Sequence, residues 1–298
     1  MKVAGFTFIR NALLYDYPVV EAITSILPVC DYFVVAVGKS DDDTLRLVRS
    51  IGDPKIHILE TVWDDSLRAG GQVLAEETNK AFDAIPPEYD WCFYIQADEC
   101  VHENDLPAIR AGMEQYLHDP LTEGLLLNYR HFYGSYDYIG ASRRWYRREV
   151  RIIRNDKRIR SWKDAQGFRS NRKLRARLLP AYIHHYGWVK HPAAQQRKQQ
   201  TFNRLWHSDE AVDKMVGGHE TYLYDGSQPL ERFTGTHPLV MLPRIRAMNW
   251  RFDGDPSQVR WKWKERVSHW LEKNIGWRPG EYRNYILLTT PAPQVEET

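Results

Sequence analysis

Trp91-Cys92-Phe93-Tyr94-Ile95-Gln96-Ala97-Asp98-Glu99 carries an apolar and aromatic run into two adjacent carboxylates. The run follows Pro86-Pro87 and gives way to a polar segment. A continuous apolar run of this kind predicts a central strand buried on both faces, since a half-exposed strand would alternate. Asp98 and Glu99 then sit at its C-terminal end, where open parallel sheets bind ligands, so acidic groups are expected at the mouth of a site. The plainer alternative is a solvated strand end at which the two acids open the next loop.

Working upstream, three strands precede this one. Residues 2–9 read as a first strand that leaves through Arg10-Asn11 into a helix over 18–26. Residues 31–37, β-branched and aromatic, form a second strand. It runs through Gly38-Lys39-Ser40-Asp41-Asp42-Asp43-Thr44 into the helical period of Leu45, Leu47, Val48 and Ile51. A third strand over 55–61 closes on Trp63-Asp64-Asp65, and Gly70-Gly71 precedes a helix over 72–84. This alternation predicts an α/β fold with a mostly parallel sheet flanked by helices. The turn at Ser40 to Asp43 suits a phosphate, ribose or base imide, because free N–H groups and carboxylates meet there; capping of the following helix is its other reading. No Gly-x-Gly-x-x-Gly follows the first strand and no phosphate-cradling P-loop occurs, which disfavours a dinucleotide-binding domain and a P-loop enzyme.

Downstream, a helix is expected over 104–117 and strands over 124–132 and 149–154. The segment 134–146 reads as an aromatic loop facing a substrate, and Ser161-Trp162-Lys163-Asp164-Ala165-Gln166-Gly167-Phe168 as a surface loop holding one acid. Ala181-Tyr182-Ile183-His184-His185-Tyr186-Gly187-Trp188 ends a further strand on paired histidines, for which partly buried strand-end positions are the simpler account. Beyond Pro192 the pattern turns helical or irregular, with a loop at Gly217-Gly218. Val259, Trp263, Val267, Trp270, Leu271 and Ile275 lie at helical spacing among Lys262, Lys264, Arg266 and Lys273. Such a stripe is expected to pack on its own domain, with an anionic membrane surface as the alternative. The divisions expected are a catalytic domain over 1–191, a mainly helical extension over 192–289 and a disordered tail over 290–298.

Composition narrows the function. A chain of 298 residues with 43% hydrophobic and 27% charged residues is an ordinary globular protein, and a net charge of +2 gives no global case for nucleic acid, although basic residues cluster between Arg143 and Arg177. Cys30, Cys92 and Cys100 lack metal-site spacing and are expected as reduced core thiols, which suggests a cytoplasmic setting. The N-terminus does not read as a signal peptide and no apolar segment is long enough to span a bilayer, so any membrane contact is expected to be peripheral, at its inner face.

Taken in order, Phe8-Ile9-Arg10-Asn11, Val37 to Thr44, Trp91 to Glu99, Glu149-Val150-Arg151-Ile152-Ile153-Arg154-Asn155 and Ile183 to Trp188 resemble the GT-A fold glycosyltransferases, the family-2-like bacterial ones in particular. The resemblance covers about the first two-thirds of the chain. It implies a GT-A type, Rossmann-like sheet holding a nucleotide-diphosphate sugar, with base and ribose near Arg10, Asn11, Asp41 and Asp43. The family's Asp-x-Asp metal motif falls on Gln96-Ala97-Asp98. Gln96 departs from it and would keep a ribose hydrogen bond while losing charge. Asp98 and His185, with His184 competing for the same role, would hold Mn²⁺ or Mg²⁺, and Asp164 would be the base that activates an acceptor hydroxyl on a carbohydrate or lipid-linked acceptor. Glu149 is the poorer candidate base, since its strand position suggests an ion pair with a neighbouring arginine. The resemblance thus implies an inverting, metal-assisted glycosyltransferase. Two alternatives stand beside it: an inactive nucleotide-sugar-binding scaffold, which Gln96 favours, and a sugar nucleotidyltransferase, which lacks the glycine-rich basic loop it would need after the first strand.

Overall fold

The computed structural model describes residues 1–64, 66–67, 69–204, 210–212, 220–226, 228–252, 254, 263–278 and 280–289. Strand and helix alternate through its first third as the apolar periodicity predicts: β1 (Val3–Ile9), α1 (Val19–Ile26), β2 (Tyr32–Gly38), α2 (Thr44–Arg49), β3 (Ile56–Thr61), α3 (Gln72–Asp83) and β4 (Trp91–Tyr94). There follow β5 (Glu99–Val101), α4 (Leu106–Gln115), β6 (Gly124–Tyr133), β7 (Tyr138–Gly140), β8 (Arg148–Arg154), β9 (Arg160–Trp162), β10 (Gly167–Arg169) and β11 (Leu174–Trp188). The chain continues through α5 (Pro192–Asn203), β12 (Leu230–Arg232), α6 (Leu242–Arg246), α7 (Trp263–Ile275) and β13 (Tyr285–Leu287).

All four β4 side chains are buried to 0% exposure, as a central strand requires. Strand alternation divides them between two cores. Trp91 and Phe93 join Val19 and Ile23 of α1 and Ile109 and Met113 of α4, while Cys92 and Tyr94 join Ala81 and Phe82 of α3. Helices therefore cover both faces, which is why the run is apolar without alternation. The three cysteines are free and buried.

The sheet runs β12-β7-β6-β8-β4-β1-β2-β3, with β11 joined to β6, β5 and β13. It is parallel across β4, β1, β2 and β3 and turns antiparallel where β8 lies between β4 and β6. The α/β class stands, and the sheet is mixed, with β4, β1, β2 and β3 in its parallel part.

The helical extension expected from residue 192 is not evident. β13 adds in parallel to β11 and β12 pairs with β7, so the C-terminal chain returns to the sheet. Short strands carry too little period to be told from irregular chain in sequence. The expected surface loop at Ser161 to Phe168 is a hairpin, β9 pairing with β10. The tail over 290–298, the Gly217-Gly218 loop, Val259 and Lys262 lie outside the described residues.

Candidate active site

A cleft of about 820 Å³ opens where β1, β2 and β4 end. Arg10, Asn11, Asp41, Gln96, Asp98, Asp164 and His185 all line it, although they come from five separate places in the chain. This is the position at which parallel strands present ligands, since loops leaving the C-terminal ends share one edge.

The β1 and β2 loops are tied together by side chains standing in for backbone partners. Asn11, at φ 55, gives its Nδ2 proton to Asp41 Oδ2 at 3.1 Å and accepts from the Asp41 N–H at 2.8 Å. The Asn11 N–H donates to Ser40 Oγ at 3.0 Å, and Asp42 accepts from the Leu14 N–H at 2.7 Å. Positive φ suits Asn because its short amide can bond locally. Asp43 does not reach the cleft. Its side chain is 65% exposed, pairs with Arg46 at 2.7 Å, and precedes α2. Arg10 extends its guanidinium over the Trp63 ring, 5.5 Å from the centroid.

Register decides between the two histidines. β5 and β11 pair so that His185 faces Glu99 and His184 faces Cys100, and adjacent strand residues point to opposite faces. His185 enters the cleft. His184 goes the other way, stacks on Phe132 at 5.6 Å and accepts from Arg130 Nη1 at 3.2 Å. Burial, then the Arg130 charge, pushes its pKa well below the ordinary histidine value.

The tautomer of His185 follows from its network. His131 Nε2 must donate to the Tyr146 carbonyl, 2.8 Å away, and burial lowers the His131 pKa well below the ordinary histidine value, so its Nδ1 carries no proton and accepts. Nδ1–H of His185 therefore donates across 3.1 Å to His131 Nδ1. That leaves the Nε2 lone pair of His185 facing Asp98 Oδ1 at 3.8 Å. Burial also lowers the His185 pKa, in spite of Asp98 and Glu99. A lone pair and a carboxylate directed at one another fit a cation between them. Gly187 makes the approach feasible: a Cβ there would stand 2.7 Å from the His185 ring and 2.8 Å from Asp98 Oδ2.

Asp98 already has one cationic neighbour that sequence reasoning missed. Lys198 of α5 donates to Asp98 Oδ2 and to the Gly187 carbonyl, both at 3.1 Å. Burial would raise the Asp98 pKa, but the Lys198 ammonium hydrogen-bonded to it outweighs burial and holds the carboxyl well below its ordinary value. Burial likewise opposes the Lys198 charge, and Tyr17 and Asp98 reverse the effect, so its pKa is raised. Lys190, fully buried, donates to the Asp16 carbonyl at 2.6 Å. The Nζ atoms of Lys190 and Lys198 lie over the Tyr17 ring, at 4.3 and 5.0 Å, and burial pushes the Lys190 pKa well below the ordinary lysine value. No sequence signal marks Lys198, which sits beside Arg197 on a helix without an apolar period. Because α5 lies beyond residue 191, the cleft is not confined to the domain expected to contain it.

Asp164 rides on the β9–β10 turn between Lys163 and Ala165, at φ 54 and 59. Two residues in the left-handed region need outside support. Gln96 supplies it, donating through Nε2 to the Ala165 carbonyl at 3.1 Å. An aspartate at 96 would have no proton to give, so the amide is explained by the turn it holds. Behind the turn, Gln166 donates to Glu149 Oε1 at 2.7 Å and Asn284 to Oε2 at 2.8 Å, and burial pushes the Glu149 pKa up to about 7. The ion pair expected for Glu149 belongs instead to Glu99. Rather than facing the site mouth, Glu99 is buried against Arg151 at 2.7 Å, with both side chains at 0% exposure.

No protein-family model matches the sequence, and no curated protein matches it. Solved structures similar to it include S. aureus TarS, at 15% identity and TM-score 0.38 over 72% of this chain and 42% of that one. Glucosyl-3-phosphoglycerate synthase from Mycobacterium tuberculosis, solved with Mn²⁺, UDP and phosphoglyceric acid, matches at 16% identity and TM-score 0.29 over 44% of this chain and 43% of that one. 4-Diphosphocytidyl-2C-methyl-D-erythritol synthase from Anaerococcus prevotii matches at 10% identity and TM-score 0.32, over 52% and 70%. The chain thus spans less than half of the first two. The resemblance to GT-A glycosyltransferases read from the sequence is met again among these structures, but with TM-scores below 0.5 they carry no weight for function, which rests on the cleft. Among the described residues no helix is long and apolar enough to cross a membrane, and no group of three or more His, Cys, Asp or Glu could hold a metal.

Proposed function

We propose that this chain is a glycosyltransferase that moves a sugar from a nucleotide-diphosphate sugar to an acceptor hydroxyl with inversion. The observation that carries the reading is the His185 Nε2 lone pair facing Asp98 at 3.8 Å in a cleft that Asn11, Asp41 and Asp164 also line. Breaking a sugar–phosphate bond expels a diphosphate, and the residues around Asp98 are those a diphosphate needs. Asp98 and His185 would hold Mn²⁺ or Mg²⁺, with the rest of its shell left to water and phosphate oxygens. Such an ion supplies positive charge against the leaving group. Lys198 gives a second positive charge at the same place.

The remaining roles follow from chemistry. Arg10 and Trp63 offer a cation and a flat ring to a base, and Asn11 with Asp41 offers donors and acceptors to a ribose. Asp164 takes the proton of the acceptor hydroxyl as it attacks the anomeric carbon, a role open to a carboxylate on a cleft-lining turn. Gln96 acts by positioning that turn rather than by contacting the ribose. The acceptor is a carbohydrate or a lipid-linked intermediate.

The ion pair of Lys198 with Asp98 favours a second reading, a nucleotide-sugar binder that works without a metal or without catalysis. Thermal-shift measurements with a panel of nucleoside diphosphates, each with Mn²⁺, Mg²⁺ or chelator, separate the two. A ligand at 100 times its dissociation constant adds roughly 2.7 kcal/mol. A shift for one nucleotide that needs the metal and disappears in Asp98→Ala supports the transferase. A shift indifferent to metal supports the second reading, and no shift with any nucleotide overturns both.

A further inference from the structure

Helix α7 stands the wrong way round for a helix of a water-soluble surface. At 3.6 residues per turn, Trp263, Val267 and Trp270 fall within about 60° of arc, and Ser268, His269 and Glu272 lie on the opposite side. An ordinary surface helix would bury the first set. Here Ser268 is buried, Glu272 meets Arg147 and Arg278, each at 3.5 Å, and His269 meets Glu231 at 3.1 Å. The polar face is thus the one anchored to the protein. Trp263 and Trp270 are left 70% and 57% exposed, with Val267, Ile275 and Trp277 also exposed. Of the stripe expected to pack inward, Trp263, Val267, Trp270 and Ile275 face out.

We propose that this face docks on an anionic lipid bilayer. Tryptophan suits the membrane interface, where its ring meets acyl chains and its N–H meets headgroups. Arg266 and Lys273 are both exposed and share one flank of the stripe, a turn pair apart, where they complement lipid phosphates. Among the described acids, Glu272 is turned to Arg147 and Arg278, and Glu281 pairs with Arg147 at 2.7 Å and Arg283 at 2.9 Å, so neither opposes them. A second copy of the chain fits less well, because an antiparallel two-fold contact through this stripe would bring Arg266 of each copy toward Lys273 of the other. At about 20 Å, a helix of 13 residues lies along a bilayer and does not cross it.

The inference is independent of the transferase reading, since none of these residues lines the cleft. Its test is cosedimentation of the full chain with vesicles of phosphatidylcholine and phosphatidylglycerol in equal parts, and with phosphatidylcholine alone, together with light scattering of the free protein. Wild type should bind the mixed vesicles. Trp263→Ser/Trp270→Ser should weaken that binding at least about tenfold, with an unchanged melting temperature because both rings are exposed. Arg266→Gln/Lys273→Gln should remove the preference for phosphatidylglycerol. Absence of wild-type binding to the mixed vesicles, or equal binding by the tryptophan variant, overturns the proposal. So does a wild-type dimer that the tryptophan substitutions convert to monomer, which would assign the face to a second copy.

Discussion

Replacing Arg151 by Met should unfold the chain more readily and loosen the cleft at the same time. Glu99 receives the Arg151 guanidinium through Nη2 at 2.7 Å and Nε at 2.9 Å, and also the Tyr129 hydroxyl at 2.7 Å and the Gln96 N–H at 3.1 Å. Arg151 further donates to the Gln166 carbonyl at 2.8 Å. One buried pair therefore holds the backbone of two cleft-lining residues. Loss of the guanidinium leaves a carboxylate with no counter-charge at zero exposure, which costs about 3–5 kcal/mol. For 298 residues the unfolding entropy is about 0.6 kcal/mol per degree, so the melting temperature should fall by about 5–8 °C. Scanning calorimetry measures the fall. Arg151→Met/Glu99→Gln should recover at least half of it, because no charge is then stranded. A single variant that loses less than about 1 kcal/mol, or a double variant as unstable as the single, would refute the account of the pair.

Lys198→Met should leave Asp98 without its competing cation. Mn²⁺ should then bind the nucleotide-free protein more tightly, read by electron paramagnetic resonance, while nucleoside diphosphate binds more weakly by calorimetry; unchanged Mn²⁺ affinity would deny the competition. Asp164→Asn should lower kcat by about 10²–10⁴-fold with donor affinity retained, as expected for loss of a general base, and equal loss in donor affinity would make it a binding residue. For Glu149, the folded pKa of about 7 lies above the ordinary 4.5. The folded chain keeps a proton in that interval that the unfolded chain releases, so this contribution to stability is full below about pH 4.5 and is lost as pH rises through about 7. Glu149→Gln should flatten that slope, leaving the variant relatively more stable at about pH 8 than at about pH 5. Asn284 Oδ1, buried without a hydrogen-bond partner among the described residues, can turn to accept from the new amide. Parallel melting curves for wild type and variant would contradict the assignment.

Much of the site was legible before the structure because strand ends are legible. Arg10, Asn11, Asp41 and Asp98 each follow an apolar run, and runs in one βαβ series must end on one edge of the sheet. Asp164 and His185 come from later segments and were located through the resemblance. Asp43 was misplaced because a run of three aspartates does not show which one turns toward the helix it precedes. Gln96 showed no sign of its bond to the Asp164 turn, for a different reason. Its partner is a carbonyl nearly seventy residues away, on a turn whose left-handed residues leave no mark in composition.

Local order in this chain is written in its periodicity. The unbroken apolar run of β4 encodes burial on both faces, and the alternation of strand and helix up to residue 94 encodes the parallel core, because each signal concerns residues adjacent in the chain. Pairing between distant segments has no such local signature. The β5–β11 register sends His185 to the cleft and His184 behind it, and α5 carries Lys198 across to Asp98. The C-terminal strands return to a sheet that the sequence pattern had ended, and α7 turns its tryptophans outward. An amphipathic stripe specifies two faces of a helix, but which face meets the protein depends on the ionic partners that Arg147, Arg278 and Glu231 offer to one of them.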